Sequence, residues 1–105
     1  MSTNYPNVFQ PISLGPVRIK NRITRSAHGT GIGGGIINDD LIAYHEARAK
    51  GGVGLTTLEI ASVHPTCIAP LTAWNDEIIS GYQKISSAVH THGMKLFQQL
   101  WHAGH

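Results

Sequence analysis

Val53-Gly54-Leu55-Thr56-Thr57-Leu58-Glu59-Ile60-Ala61 decides the fold of this chain. It is nearly continuous apolar and β-branched sequence, the pattern of a strand buried on both faces rather than one with a wet side. On its amino-terminal side, Asn38 is a natural helix cap, and Asp39 and Asp40 suit the positive end of a helix dipole. That helix is expected to run to about Lys50 and to stop at Gly51-Gly52. On the carboxyl-terminal side, a proline-containing loop leads to Asn75-Asp76-Glu77, a second capped start. Ile78, Tyr82, Ile85 and Val89 then recur at helical spacing, Gly93 ends the helix, and Met94 to Leu100 reads as a further strand. Upstream, residues 8 to 19 alternate around Leu14-Gly15-Pro16-Val17 as a short hairpin. Asn21 to Ala27 is a candidate first strand, poor in that it contains Thr24 and Arg25. The order is hairpin, then β-α-β-α-β, which argues for an α/β fold with a parallel sheet.

Two architectures share that order: an open doubly wound sheet, and a (β/α)8 barrel. The barrel needs eight strands and ~250 residues, so 105 residues would form an incomplete wall with unpaired edges. One domain at most fits this length. A formal charge of +2 does not imply nucleic acid, and Arg18, Lys20, Arg22 and Arg25 form no dense block. No apolar run approaches a membrane span, and the start Met1-Ser2-Thr3-Asn4-Tyr5-Pro6 lacks the pattern of a signal peptide. Cys67 is the lone cysteine, which excludes an internal disulfide, and its place among Pro65, Thr66 and Pro70 suits an inert thiol. These features fit a cytoplasmic protein, with no nucleic-acid or membrane partner expected. Met1 suggests a genuine start, so missing material is expected downstream.

Several groups of residues could carry chemistry. Gly29-Thr30-Gly31-Ile32-Gly33-Gly34 formally matches the G-x-G-x-x-G dinucleotide fingerprint, with Glu59 roughly where a ribose-binding acid belongs. In that motif the glycines open the helix directly; here Gly35-Ile36-Ile37 intervene before Asn38. The pairs His90/His92 and His102/His105 lack the further ligands that a zinc site wants. The end of the last strand, Gln99-Leu100-Trp101-His102-Ala103-Gly104-His105, lies where parallel α/β proteins carry ligand chemistry. The Gln99 amide offers a donor and an acceptor side by side, which suits a heterocycle edge such as the flavin pyrimidine ring. It could equally cap neighbouring backbone groups. Trp101 points the same way and could wall a substrate pocket, and Glu59 could serve only to bond backbone at the mouth of the sheet.

Taken in order, Val8-Phe9-Gln10-Pro11-Ile12-Ser13-Leu14-Gly15, Lys20-Asn21-Arg22-Ile23, Tyr44, Arg48-Ala49-Lys50-Gly51-Gly52-Val53-Gly54-Leu55, Glu59, Val63-His64-Pro65, His92-Gly93 and Gln99-Leu100-Trp101-His102-Ala103-Gly104 span essentially the whole chain. This ordered set resembles the amino-terminal part of the old yellow enzyme family, the FMN-dependent NADH:flavin oxidoreductases. The resemblance implies that residues 1–105 are an incomplete amino-terminal part of a single FMN-binding (β/α)8 barrel domain, with the hairpin plugging the amino-terminal end. It places backbone contacts to the flavin at Ser26, Ala27, His28 and Gly29, a further contact at Ile60, and the pyrimidine edge at Gln99. His28 is similar to the branch that includes trimethylamine dehydrogenase and dienoyl-CoA reductase relatives, some with an iron–sulfur centre and extra domains. The chain departs from the family pattern at Ala27, where a proline is usual, and at Gly29, where a threonine or cysteine tunes the flavin. It departs again at His105, where arginine is common. The family's substrate-gripping histidines, tyrosine proton donor, cationic residue near flavin N1 and phosphate loops all lie on later strands.

The expectation for the parent protein is therefore an oxidoreductase in which NAD(P)H reduces FMN and the reduced flavin passes hydride to an electron-poor alkene or similar small-molecule acceptor. The chain alone, lacking the rest of the barrel and any catalytic residue, is expected to be inactive. Two rivals remain: a non-catalytic remnant that acts at most by pairing its edges, and a small NAD(P)-binding module built on Gly29–Gly34.

Overall fold

The computed structural model describes residues 4–104. Its elements in chain order are α1 (Pro6–Phe9), β1 (Ile12–Leu14), β2 (Val17–Ile19), β3 (Thr24–Arg25), α2 (Asp39–Lys50), β4 (Leu55–Ser62), β5 (Leu71–Thr72), a 3-10 turn (Asp76–Ile78), α3 (Ile79–His90) and β6 (Lys95–Trp101). β4 is the spine: β3 pairs with its first residues, β6 along most of its length, and β5 with its last two, all in parallel. The expected β-α-β-α-β order is therefore present as β3-α2-β4-α3-β6.

Both helices lie on one face of this sheet. Leu41 and Ala49 of α2, Ile85 and Val89 of α3, Leu58 and Ala61 of β4, Leu71 and Met94 make one buried cluster. Burial of such side chains contributes roughly 1.5–3 kcal/mol each. The opposite face is open, with Phe97 at 39% exposure. A sheet covered on one side and bare on the other is the wall of a larger body, not a closed sandwich.

Local chemistry accounts for the helix limits. Asn38 Oδ1 accepts from the Leu41 N–H at 2.8 Å, while its Nδ2 donates to the Ile32 carbonyl at 3.1 Å. Gly52 takes a φ of +107°, a conformation an L side chain resists, and so ends α2 cleanly. Asn38→Ala removes both bonds and is expected to lower stability by about 1 kcal/mol. Equilibrium urea unfolding of the full-length protein checks this, and an unchanged midpoint would refute it.

The structure departs from the sequence reading in three places. Residues 8 to 19 are not all hairpin, because Pro6–Phe9 form a helical turn ahead of β1 and the Val8 and Phe9 N–H groups both donate to the Tyr5 carbonyl. The first strand is far shorter than Asn21 to Ala27. The Asn21 side chain turns back on the chain, accepting from the Ile23 N–H at 3.0 Å and donating to the Gly52 carbonyl at 2.7 Å, which competes with extended pairing. β5 falls in what reads as loop; two residues carry too little periodicity to register as a strand.

The hairpin β1–β2 sits at the amino-terminal ends of the parallel strands. Ile19 is fully buried against Gly54, and Lys20 Nζ donates to the His92 carbonyl at 2.7 Å. This agrees with a hairpin that closes the amino-terminal end.

Candidate functional site

The opposite, carboxyl-terminal ends of β3, β4 and β6 bring together Ser26, Ala27, His28, Gly29, Glu59, Ile60, Gln99 and Trp101, whereas His92 lies at the other end, beside Lys20. Adjacent glutamines on β6 are separated by the strand's alternation. Gln98 turns toward α3, where its Oε1 accepts from the Tyr82 hydroxyl at 2.6 Å. Gln99 takes the other, open face, and its side-chain amide has no partner among the described residues. The backbone-capping role allowed for Gln99 is played by Gln98, whose Nε2 donates to the carbonyls of Glu59 at 2.7 Å and Gln99 at 2.9 Å. Burial pushes the Tyr82 hydroxyl up to about 12, so it stays a donor across the physiological range.

β4 carries an irregularity at its mouth. The pairing with β6 runs Leu58↔Gln98 and resumes at Ala61↔Leu100, so Glu59 and Ile60 share one register step opposite Gln99. This is a β-bulge, a device that re-aims side chains beside functional sites. Ile60 is half-buried there and stands outside the helix-facing cluster. Glu59 is 2% exposed, and its carboxylate holds the loop after β3: Oε2 accepts from the Thr30 N–H at 3.0 Å and Oε1 from the Thr30 hydroxyl at 2.9 Å.

Ser26 to Gly29 leave the end of β3. The backbone N–H groups of His28 and Gly29 donate to no acceptor among the described residues. The His28 ring is held in place by Nδ1 against the Ser26 carbonyl at 3.2 Å and by Nε2 near both Arg25 and the Tyr44 hydroxyl, each at 3.2 Å. Arginine only donates, so Nε2 accepts and the proton sits on Nδ1. Trp101 shares the face of Gln99 and is half-buried, with its carbonyl accepting from the Val63 N–H at 3.2 Å.

The glycine-rich loop is not built as a dinucleotide cradle. Gly35 pairs with the segment before β5, its N–H donating to the Pro70 carbonyl at 2.9 Å, and Asn38 already caps α2. Instead, a groove of about 630 Å³ opens between this loop and residues 65–74, with Glu59, Cys67, Ile68 and Trp74 among its walls. Cys67 is buried, as suits an unreactive thiol. The Thr66 hydroxyl bridges His64 Nδ1 at 2.8 Å and His102 Nε2 at 3.0 Å, and His105 lies outside the described residues. Among the described residues no cluster of three or more metal-ligating side chains forms.

A flat heterocycle fits this donor set. An unpartnered carboxamide, free backbone N–H groups and a bulge lie at the ends of three neighbouring strands, on the face the helices leave open. Charged groups for a phosphate are not among them. Sequence reasoning missed Thr30, Gln98 and Tyr82. The doubled glutamine was the available signal for Gln98, since two successive strand residues must face opposite sides.

Comparison with known proteins agrees with this geometry. The profile of the NADH:flavin oxidoreductase / NADH oxidase family matches residues 7–105. The chain is 36% identical to the NADH oxidase of Thermoanaerobacter brockii over 97% of its own length and 17% of that protein. Histamine dehydrogenase from Rhizobium sp. 4-9 superposes with a TM-score of 0.85 at 28% identity, over 99% of this chain and 16% of that one. Old Yellow Enzyme from Pichia sp. AKU4542 gives a TM-score of 0.81 at 26% identity, over 93% of this chain and 27% of its own. The chain thus spans less than a third of each of these proteins, and its three parallel strands are part of a (β/α)8 barrel wall. From the bulged mouth to the amino-terminal hairpin, then, sequence and fold agree that the chain belongs to the NADH:flavin oxidoreductase / NADH oxidase family, as an amino-terminal part of an old yellow enzyme-type barrel.

Proposed function

We propose that the full-length protein is a cytoplasmic FMN-dependent oxidoreductase, and that this chain supplies one wall of its flavin site. The observation that carries the reading is the unpartnered Gln99 amide on the open face, beside the Ile60 bulge and the free N–H groups of the 26–29 segment. When bound, FMN would relay a hydride from NAD(P)H to an electron-poor alkene or related small-molecule acceptor. The residues of this chain bind and orient. Gln99 would donate to and accept from the pyrimidine edge, while the backbone at Ser26, Ala27, His28 and Gly29 and at Ile60 would line the ring. Trp101 would wall the pocket above it. Gly29 has no side chain, so any hydrogen bond to the ring from that position comes from backbone N–H. NAD(P)H as the reductant is supported by relatives described as an NADH oxidase and as NADPH dehydrogenases.

Phosphate anchoring and substrate grip would come from the rest of the barrel, so the 105-residue chain is proposed to be inactive by itself. The experiment is an FMN titration of the full-length apoprotein, followed by anaerobic mixing with NADH or NADPH while the flavin absorbance is watched. Bleaching of a bound flavin supports the reading. A full-length protein that takes up no FMN overturns it in favour of a non-catalytic remnant. Gln99→Leu should weaken FMN binding by roughly 10- to 100-fold, the cost of leaving ring polar atoms unpaired. An unchanged dissociation constant would remove Gln99 from the site.

A further inference from the structure

Four residues form one hydrogen-bonded line, through side chains and backbone, across the mouth of the three barrel strands. Thr30 donates twice to Glu59; the Glu59 carbonyl accepts from Gln98; and Gln98 accepts from Tyr82 on α3. Each of the first three is the chain neighbour of a proposed flavin contact. Thr30 follows Gly29, Glu59 precedes Ile60, and Gln98 precedes Gln99.

We propose that this line positions the flavin ring by fixing the relative heights of the three segments that hold it, so that Thr30, Glu59, Gln98 and Tyr82 are positioning residues. The inference rests on the FMN reading above. Its physical basis is the bulge. Two residues of β4 share one step of β6, so the ladder by itself leaves the local height of Glu59 and Ile60 loosely set. Gln98 supplies what the ladder lacks. The two hydrogens of its amide go to the carbonyls of Glu59 and Gln99, on opposite sides of the irregularity, and tie them together.

The remaining groups match their tasks. Thr30 presents two donors to one neighbour, and a carboxylate accepts with both oxygens where an amide could accept with only one. The Thr30 hydroxyl also accepts from the Ile32 N–H at 3.2 Å, which stiffens the loop behind it. Tyr82 orients the Gln98 amide from the helix side, across the sheet from the open face. Neither Gln98 nor Tyr82 faces the ring, so their influence has to pass through backbone position. A binding constellation displaced by about half an ångström loses its fit.

The test uses the full-length protein, with FMN as the probe and two readouts: the dissociation constant from titrating the apoprotein, and the visible circular dichroism of the bound flavin. Thr30→Val should weaken FMN binding roughly tenfold and alter the dichroism, since it strands a buried carboxylate oxygen. Thr30→Ser, which keeps the hydroxyl, should restore both. Tyr82→Phe is near-isosteric and should weaken binding by roughly threefold with a dichroic change of the same sign. Wild-type affinity and an unchanged dichroic band in both Thr30→Val and Tyr82→Phe would overturn the inference while leaving the flavin reading intact. Wild-type protein that binds no FMN would overturn both.

Discussion

Gly54→Ala should destabilise the full-length protein by about 3 kcal/mol, at the upper end of the cost of overpacking. A β-carbon there would collide with Asn21 Oδ1 and lie only 3.0 Å from both the Asn21 carbonyl and Ile19 Cγ2. None of these can retreat easily. Ile19 is fully buried, and the Asn21 amide is fixed at both ends by the Gly52 carbonyl and the Ile23 N–H. The backbone of Gly54 is equally committed, donating to the Ile23 carbonyl at 3.0 Å and accepting from the Lys95 N–H at 2.9 Å. The methyl group would therefore push the hairpin away from the strand ends it closes. Denaturant unfolding measures the loss. Adding Asn21→Ala to Gly54→Ala should return more than 1 kcal/mol of it as coupling energy, about the size expected of groups in direct contact. A Gly54→Ala protein within about 0.5 kcal/mol of wild type, the range of an uneventful surface change, would contradict the packing.

Acid should act on this protein through His45. The residue is 2% exposed on the sheet-facing side of α2, and neither ring nitrogen has a hydrogen-bond partner. Burial, followed by the charges of Arg25, His28 and Arg48, lowers its pKa from 6.5 to about 4. The unfolded chain takes up a proton near pH 6.5, but the folded one resists until about pH 4. Stability from this group is thus fully present above pH 6.5, is lost as pH falls between those values, and is absent below the lower one. The whole window amounts to up to about 3 kcal/mol. His45→Leu removes the titration and two unsatisfied polar atoms together. Its unfolding midpoint should fall less than that of wild type between pH 7.5 and pH 4.5. Parallel pH profiles for the two proteins would eliminate His45 as the source.

Much of the fold was legible because local and tertiary preferences agree. The run from Val53 to Ala61 is a strand by propensity and by burial, and it is β4. Asn38 and Gly52 bound α2 by side-chain and backbone chemistry that needs no distant partner. Ile85 and Val89 mark the buried face of α3. What could not be read depended on pairing across the sheet. β3 is cut short by a tie from Asn21 to Gly52, thirty-one residues away in sequence. The bulge at Glu59 and Ile60 exists only relative to β6, so no property of β4 alone announces it. At the site, Glu59 holds backbone as one reading of it allowed, while the choice between Gln98 and Gln99 required knowing which way β6 faces. The resemblance selected Gln99 on motif alone, and the open face of the sheet is where that side chain lies.

The irregularity in β4 also separates two kinds of sequence change. Leu58, before it, and Ala61, after it, both face the helices, although three residues apart on a strand would ordinarily point to opposite sides. The extra residue is a phase slip. On both sides of it, helix-facing positions answer to the packing of α2 and α3, while Glu59 and Ile60 at the step itself stand at the mouth. Deleting one residue at this step would remove the slip and leave Leu58 and Ala61 two residues apart, both still facing the helices as in a regular strand, while the mouth would lose the side chain that the bulge re-aims. A change in residue number at this one step would therefore alter the mouth while the helix-packed face keeps its phase.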